Sequence, residues 1–363
     1  MIQKISWVHI NNVRTVTLEA GDSQSNNPLQ FIRRRGQVGN WALFGLATLG
    51  SMQSDKGRIM KESPLMVGLG EVLWDILPSR KVLGGAPTNF AYMASVFGNR
   101  GIVASRLGND DLGREAYRVM NNEGVDTYYV QYDDQHDTGI AGVLLDSEGQ
   151  PNFTIKDQVA WDFLQWTPAW EELSARVDVV CYGSLAQRSD TSAVTIERFL
   201  RNTPPEALRI CDANLREPFY SVDTLRRSLH FADILKLNEQ ELFKVASLLE
   251  MGEGGEVELA EKLFRAFDLE LICITKGSRG SLLVSDHEVV EHKGISVEVA
   301  DAVGAGDAFT ACVAHYYIQG RPLEEISEAA NRFAAWVATQ VGATPLVSGE
   351  QLGQIMGAGA RSN

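Results

Sequence analysis

The stretch DAVGAGDAFTACVAHYY, residues 301–317, sets two aspartates and a run of small residues before an apolar segment with helical spacing. Gly304 and Gly306 let a ligand approach the backbone closely. A helix starting behind them offers free N–H groups and the positive end of its dipole to an anion. A glycine-rich turn ahead of such a helix makes a nest of amides. The same stretch would also serve as a plain glycine turn with Asp307 as the helix N-cap. A carboxylate at a phosphate-binding helix start repels the anion, which is a poor arrangement if its only task is capping. It makes sense if Asp307 accepts the proton of a hydroxyl that attacks phosphorus. The chain contains no GxxxxGK[ST] pattern, so this is not a Walker A loop.

The elements that must hold this stretch are legible from residue 65 onward. LMVGLG, GIVASRLG, DVVCYGS, LRICDAN, DILKLN and LICITKG read as buried strands that end in polar or small residues. Between them lie helical segments such as PTNFAYMASVFG, LGREAYRVMNNEG and EQELFKVASLLE. This alternation predicts an α/β fold with a central, mostly parallel sheet flanked by helices on both faces. Ligands in such folds bind beyond the C-terminal strand ends. Two stretches break the pattern, residues 71–85 and 138–163. The second reads as a hairpin with Ser147, Glu148 and Gly149 in its turn, and together they predict a small separate β-sheet that acts as a lid.

The 363 residues suit one large α/β unit with an appendage, or two domains at ~150 residues each. Residues 1–60 carry a net charge of +4 against −18 for the rest, and are expected to be a poorly ordered extension. The main domain is expected over 61–350, starting near Met60 or Met66, with 351–363 as a tail. The overall charge of −14 argues against nucleic acid and anionic membrane as main partners. The four cysteines sit in apolar runs or a helix without CxxC spacing, as expected of buried residues in a reducing cytoplasm. No HExxH pattern points to zinc. No apolar run reaches the ~18 residues that span a bilayer. The apolar residues 41–50 after RRR lie too far inside the chain to read as a signal sequence.

DAVGAGD resembles the C-terminal signature of the ribokinase-like, phosphofructokinase-B-type sugar kinases. GGAPTNFAYMASVFG (residues 84–98) resembles that family's N-terminal signature, LNEQE (237–241) its Asn-x-x-Glu motif, and TKGSRGSLL (275–283) its nucleotide-site strand and turn. All four stand in the family's order. The resemblance implies a ribokinase-like fold and an ATP-dependent carbohydrate kinase. Asp307 would be the catalytic base, and Gly304, Ala305 and Gly306 would help form the anion hole. Asn238 and Glu241 would hold Mg²⁺ through water, although Asn238 also suits a helix cap. Asn214, Thr275, Gly277 and Gly280 would line the nucleotide, with Lys276 either reaching phosphate or solvated. Asp75, Gly84, Gly85 and Asn89 correspond to sugar-binding positions, and Arg216 to a phosphate or substrate contact or a surface ion pair. Members often bind a monovalent cation through carbonyl oxygens; Asp301, Val303, Val337, Gln340 and Gly342 are the matching positions for K⁺. Ala302 departs from the family, where many relatives have threonine. Lid sheets in the family often pair across a homodimer.

NFTIKDQVAWDF (residues 152–163) and DANLREPFY (212–220) resemble the fructokinase-like branch, which implies D-fructose as acceptor. Ribose, a nucleoside and 2-keto-3-deoxygluconate are the alternatives within the class. An oxidoreductase reading needs GxGxxG after a first strand, and VGLGEVLWD stops after two glycines. A non-catalytic sensor is expected to lack the carboxylate that Asp307 supplies.

Overall fold

The computed structural model describes residues 63–77, 80–145 and 151–357, together with two strands near the N-terminus. The chain divides into two units, Met1–Met60 and Lys61–Asn363. In the first, β1 (Ile5–Ile10) and β2 (Val13–Leu18) form an antiparallel hairpin. The expectation that residues 1–60 are poorly ordered otherwise lies outside the described residues, as does the hairpin turn expected at Ser147, Glu148 and Gly149.

The second unit opens with β3 (Leu65–Leu69), β4 (Leu73–Leu77), β5 (Arg80–Gly84), α1 (Ala86–Val96), β6 (Arg100–Ala104), β7 (Arg106–Gly108) and α2 (Asp111–Asn122). It continues with β8 (Gln131–Asp133), β9 (Gly139–Leu145), β10 (Pro151–Ile155), α3 (Pro168–Ser174), β11 (Val179–Gly183), α4 (Asp190–Arg201) and β12 (Leu208–Asp212). Then come α5 (Val222–Phe231), β13 (Ile234–Asn238), α6 (Glu239–Leu248), α7 (Glu256–Phe267), β14 (Leu271–Thr275) and β15 (Ser281–Val284). The last elements are β16 (Val289–His292), α8 (Ala305–Tyr317), α9 (Leu323–Ala338) and α10 (Gly349–Gly357).

Eight strands form the central sheet in the order β16-β15-β14-β13-β12-β11-β3-β6. The six from β14 to β6 are parallel, and β15 and β16 extend them antiparallel. Because successive strand residues face opposite ways, each central strand feeds two cores. Val180 and Tyr182 of β11 pack into the core that α3 to α7 cover, with Phe199, Leu229 and Leu263 among its buried side chains. Val179 and Cys181 pack into the opposite core, closed by Phe90, Met93, Phe309 and Phe333 of α1, α8 and α9. Each large apolar side chain buried this way contributes about 1.5–3 kcal/mol. All four cysteines are buried and free.

A separate four-stranded sheet, β10-β9-β4-β5, draws on both stretches that break the α/β pattern. Its two halves meet through parallel pairing of β4 with β9, for example Asp75 opposite Ala141. The segment expected as a tail from residue 351 is instead helical to Gly357, because Leu352, Ile355 and Met356 of α10 pack against the α9 side of the core. Among the described residues no helix is long and apolar enough to cross a membrane.

Candidate active site

Strands β3, β12, β13 and β14 run parallel or are linked through parallel neighbours, so their C-terminal ends share one rim. Glu71, Asp212, Asn238 and Thr275 stand at or just beyond those ends. Helix α8 starts beside them. Its N-cap is Gly304, with φ of 80° and no side-chain cap bond. A Cβ at Gly304 would lie 2.5 Å from the Ala343 carbonyl oxygen, so both the space and the backbone conformation call for glycine. The helix begins at Ala305, three residues earlier than a cap at Asp307 would allow. Asp307 therefore lies inside the first turn, and the capping alternative is not realised. Its Oδ2 accepts a hydrogen bond of 2.7 Å from Asn89 Nδ2 on α1. Burial, then repulsion from Asp212, pushes the Asp307 carboxyl up to about 7, against the pull of Lys236, the Asn89 bond and Arg216.

A buried lysine lies under this helix start. Lys236 and Asp212 are direct partners in the β12–β13 register, so their side chains share a face. Lys236 Nζ lies 3.1 and 3.0 Å from the two carboxylate oxygens of Asp212. It also stands 3.0 Å from where a Cβ on Gly306 would be. Burial works against its charge, yet the carboxylates of Asp212, Asp307 and Glu241 hold its pKa up at about 12. Thr310 Oγ1 completes the group with a 3.3 Å bond to Asp212 Oδ2. An ammonium beneath the positive end of a helix is favourable only with negative charge close by. Asp212 supplies one such charge, and the open N–H groups of the first turn invite a second.

The other expected acceptor-side residues converge on the same rim. Asp75 lies mid-strand in β4, not in a bulge or turn. Its carboxylate comes so close to Gly84 that a Cβ there would meet Oδ2 at 2.5 Å. Burial raises the Asp75 pKa, Arg216 lowers it, and Asp301 raises it. Gly85 is the N-cap of α1, four residues before Asn89. Arg216 is exposed, makes no ion pair at contact distance among the described residues, and faces Glu71, Asp75 and Asp307. The surface ion pair is not formed.

On the other flank, Asn238 and Glu241 form a capping box: Asn238 Oδ1 accepts from the Glu241 N–H at 2.9 Å, and Glu241 Oε2 from the Asn238 N–H at 2.8 Å. Glu241 Oε1 accepts from the Leu215 N–H at 2.9 Å and so anchors the loop that carries Asn214, whose φ is 37°. Thr275 pairs with Asn238 across β13 and β14, and Gly277 and Gly280 lie in the turn that follows. Lys276 corrects the expectation. Its ammonium does not lie in solvent, because Glu256 of α7 holds it at 2.6 Å with only 8% of the side chain exposed.

Two loops that carry the five carbonyl positions lie side by side. The Asp301 N–H donates to the Ala338 carbonyl at 3.2 Å, and the Gly342 N–H to Asp301 Oδ2 at 3.3 Å. The Val303 N–H donates to Asp301 Oδ1 at 3.0 Å, and the Val337 carbonyl accepts from the Gln340 N–H at 2.9 Å. Arg80, at the start of β5, meets Asp301 Oδ2 at 2.9 Å and ties the small sheet to this loop. Among the described residues no group of three or more His, Cys, Asp or Glu side chains is placed to hold a metal.

The pfkB family carbohydrate kinase profile matches residues 79–348. The chain belongs to the pfkB family of carbohydrate kinases. This kinase is 30% identical over 256 residues to a fructokinase of Escherichia coli, covering 67% of its own chain and 81% of the relative. A double-mutant fructokinase from Vibrio cholerae O395, solved with fructose, ADP and a potassium ion, superposes with a TM-score of 0.66 at 25% identity, over 79% of this chain and 96% of the other. A 2-dehydro-3-deoxygluconokinase from Thermotoga maritima shares the fold with a TM-score of 0.68 at 17% identity, over 82% and 99%. Two residues of the kinase were not anticipated in the site. Lys236 carried a usable signal, since a lysine inside the apolar run DILKLN has to find a counterion. Glu71 gave none, as a lone glutamate after a strand reads as solvated.

Proposed function

We propose that this kinase transfers the γ-phosphoryl group of ATP to a hydroxyl of D-fructose, giving fructose 6-phosphate. One observation carries the reading: the Asn89–Asp307 bond joins the acceptor-side helix α1 to a helix start that sits over a buried lysine. Asp307 takes the proton of the attacking hydroxyl as its oxygen bonds to the γ-phosphorus. The bond between that phosphorus and the bridging oxygen breaks, and ADP leaves with the electron pair. The N–H groups of Gly306 and Asp307 cradle the migrating group, joined by that of Ala305 once it leaves the Ala302 carbonyl, to which it donates at 3.4 Å, with Lys236 beneath them. Asp75 and Asn89 hold acceptor hydroxyls over Gly84 and Gly85, and Arg216 neutralises charge between acceptor and nucleotide. Asn214, Thr275, Gly277 and Gly280 lie along the nucleotide.

The side chains present fit a magnesium ion held through water. Each carboxylate oxygen of Glu241 already accepts one main-chain N–H, which leaves a second lone pair on each for a metal-bound water. Mg²⁺ keeps several waters and takes its direct ligands largely from phosphates, where it neutralises charge. Carbonyl oxygens of Asp301, Val303, Val337, Gln340 and Gly342 offer the neutral oxygen set that suits K⁺, a cation present in the Vibrio cholerae fructokinase structure.

Fructose is supported by the fructokinase relatives and by the fructose bound to one of them. The test is a panel of fructose, ribose, 2-keto-3-deoxygluconate and adenosine with Mg-ATP, followed by identification of the product. The highest kcat/KM is expected for fructose with fructose 6-phosphate as product; a higher value for any other acceptor overturns the assignment. Asp75→Ala should raise the sugar KM by ~10-fold or more and leave the ATP KM within ~2-fold, since it leaves an acceptor hydroxyl unpaired. An unchanged sugar KM removes Asp75 from the acceptor site.

A further inference from the structure

Two oxygens beside the acceptor position are orphaned. Glu71 is 2% exposed, and its Oε2 is buried without a hydrogen-bond partner. Asn89 is 4% exposed; its Nδ2 serves Asp307, and its Oδ1 is buried and likewise has no partner. Asn89 lies in the first turns of α1, and Glu71, in the connection between β3 and β4, packs against the start of that helix. The main-chain amides of Glu71 and Ala86 approach the Glu71 carboxyl, Thr88 Oγ1 donates to the Glu71 carbonyl, and the Asn89 N–H donates to Gly85 at 2.9 Å. Each orphaned acceptor costs about 1–3 kcal/mol, and both lie away from the solvent surface.

A single proton removes both penalties. We infer that Glu71 is a positioning residue that acts as a buried neutral acid, donating Oε2–H to Asn89 Oδ1 and thereby fixing the amide so that Nδ2–H faces Asp307. No protein group supplies another donor to that oxygen. The chain Glu71–Asn89–Asp307 leaves one negative charge at its far end, where the acceptor proton must go. The charged groups that face Glu71 are Asp307 from α8 and Arg216 from the loop after β12. Those that face Asp307 are Asp212 and Lys236 from β12 and β13, and again Arg216. Burial first, with Asp307 adding to it, pushes the Glu71 carboxyl up to about 7, in keeping with a retained proton. The two acids titrate as a pair, so the active form is the one that has lost a single proton.

The inference rests on the phosphoryl-transfer reading for its kinetic arm only. The wild-type kinase should show a bell-shaped kcat/KM profile whose alkaline fall belongs to Glu71. Glu71→Gln keeps a donor for Asn89 at every pH, so the alkaline fall should disappear and kcat/KM at pH 9 should exceed the wild-type value by ~3-fold or more. Glu71→Leu has no donor and should lose ~10-fold or more throughout. An alkaline limb unchanged in Glu71→Gln, or wild-type kinetics in Glu71→Leu, overturns the proposal. A second arm needs no activity: carbon-13 NMR of side-chain-labelled glutamate in the full chain. One carboxyl should titrate near or above pH 7 and be missing from the Glu71→Gln spectrum. Ordinary titration of every glutamate overturns the proposal even if no acceptor is phosphorylated, whereas a missing kinase activity with that signal present overturns only the phosphoryl-transfer reading.

Discussion

Asp307→Asn is expected to lower kcat by ~10²-fold or more while ATP binds almost as before. Asparagine fills the same space and can still meet the Asn89 amide after rotating, so α1 and α8 stay in register. What is lost is the only group at the head of α8 that can take a proton from the acceptor hydroxyl. The nucleotide sees a neutral side chain in place of a carboxylate, which weakens repulsion of its phosphates. The variant also has a stability signature. Burial and Asp212 raise the Asp307 pKa to about 7 from an ordinary carboxylate value of 3.8. The folded state therefore binds more protons than the unfolded chain between those two values. The stabilisation that the proton provides is complete below the unfolded pKa and is lost as pH rises through about 7. Asp307→Asn should consequently gain stability over wild type at pH 8, on the order of 1–3 kcal/mol after partial solvent screening. The gain should fade toward pH 4. Urea unfolding at the two pH values measures it; near-normal turnover, or an equal stability change at both, would count against a buried base.

Lys236→Met is expected to cost about 3–5 kcal/mol of stability and most of the affinity for Mg-ATP. Lys236 and Asp212 form a buried pair with side chains 10% and 4% exposed. Removing one partner leaves the other as an uncompensated charge, which is the expensive outcome for such a pair. Thr310 offers Asp212 only a 3.3 Å hydroxyl contact. The double variant Asp212→Asn with Lys236→Met removes both charges and should recover most of the stability. It should not recover nucleotide binding, because the positive charge under the helix start is still missing. Calorimetric titration with Mg-ADP separates the two effects. A double variant that binds as tightly as wild type would make the pair purely structural.

These residues differ in how visible they were from the chain alone. Asp307 and Asn89 stand at helix starts whose glycine turns and apolar runs are local signals, so position and chemistry could be read together. The α/β layering was equally open, because strands such as VVCYG and LICIT are apolar nearly throughout and are separated by amphipathic segments. Lys236 was half visible. Its burial followed from its neighbours, but its partner depends on parallel register between strands 24 residues apart. Lys276 looked similar and behaves otherwise, since Glu256 on the separately packed α7 reaches it first. Glu71 was hidden entirely, because only the docking of α1 over the end of β3 takes its carboxyl out of water. The two lid segments were recognisable as exceptions to the alternation, yet their joining through β4 and β9 is a long-range pairing that no local pattern specifies.

The most direct test of the base at the head of α8 is a crystal structure with fructose and a non-hydrolysable ATP analogue. An acceptor hydroxyl is expected ~2.6–3.2 Å from an Asp307 carboxylate oxygen, with the terminal phosphate against the N–H groups of Gly306 and Asp307. A sugar bound with no hydroxyl within reach of Asp307, or a terminal phosphate seated away from that helix start, would contradict it.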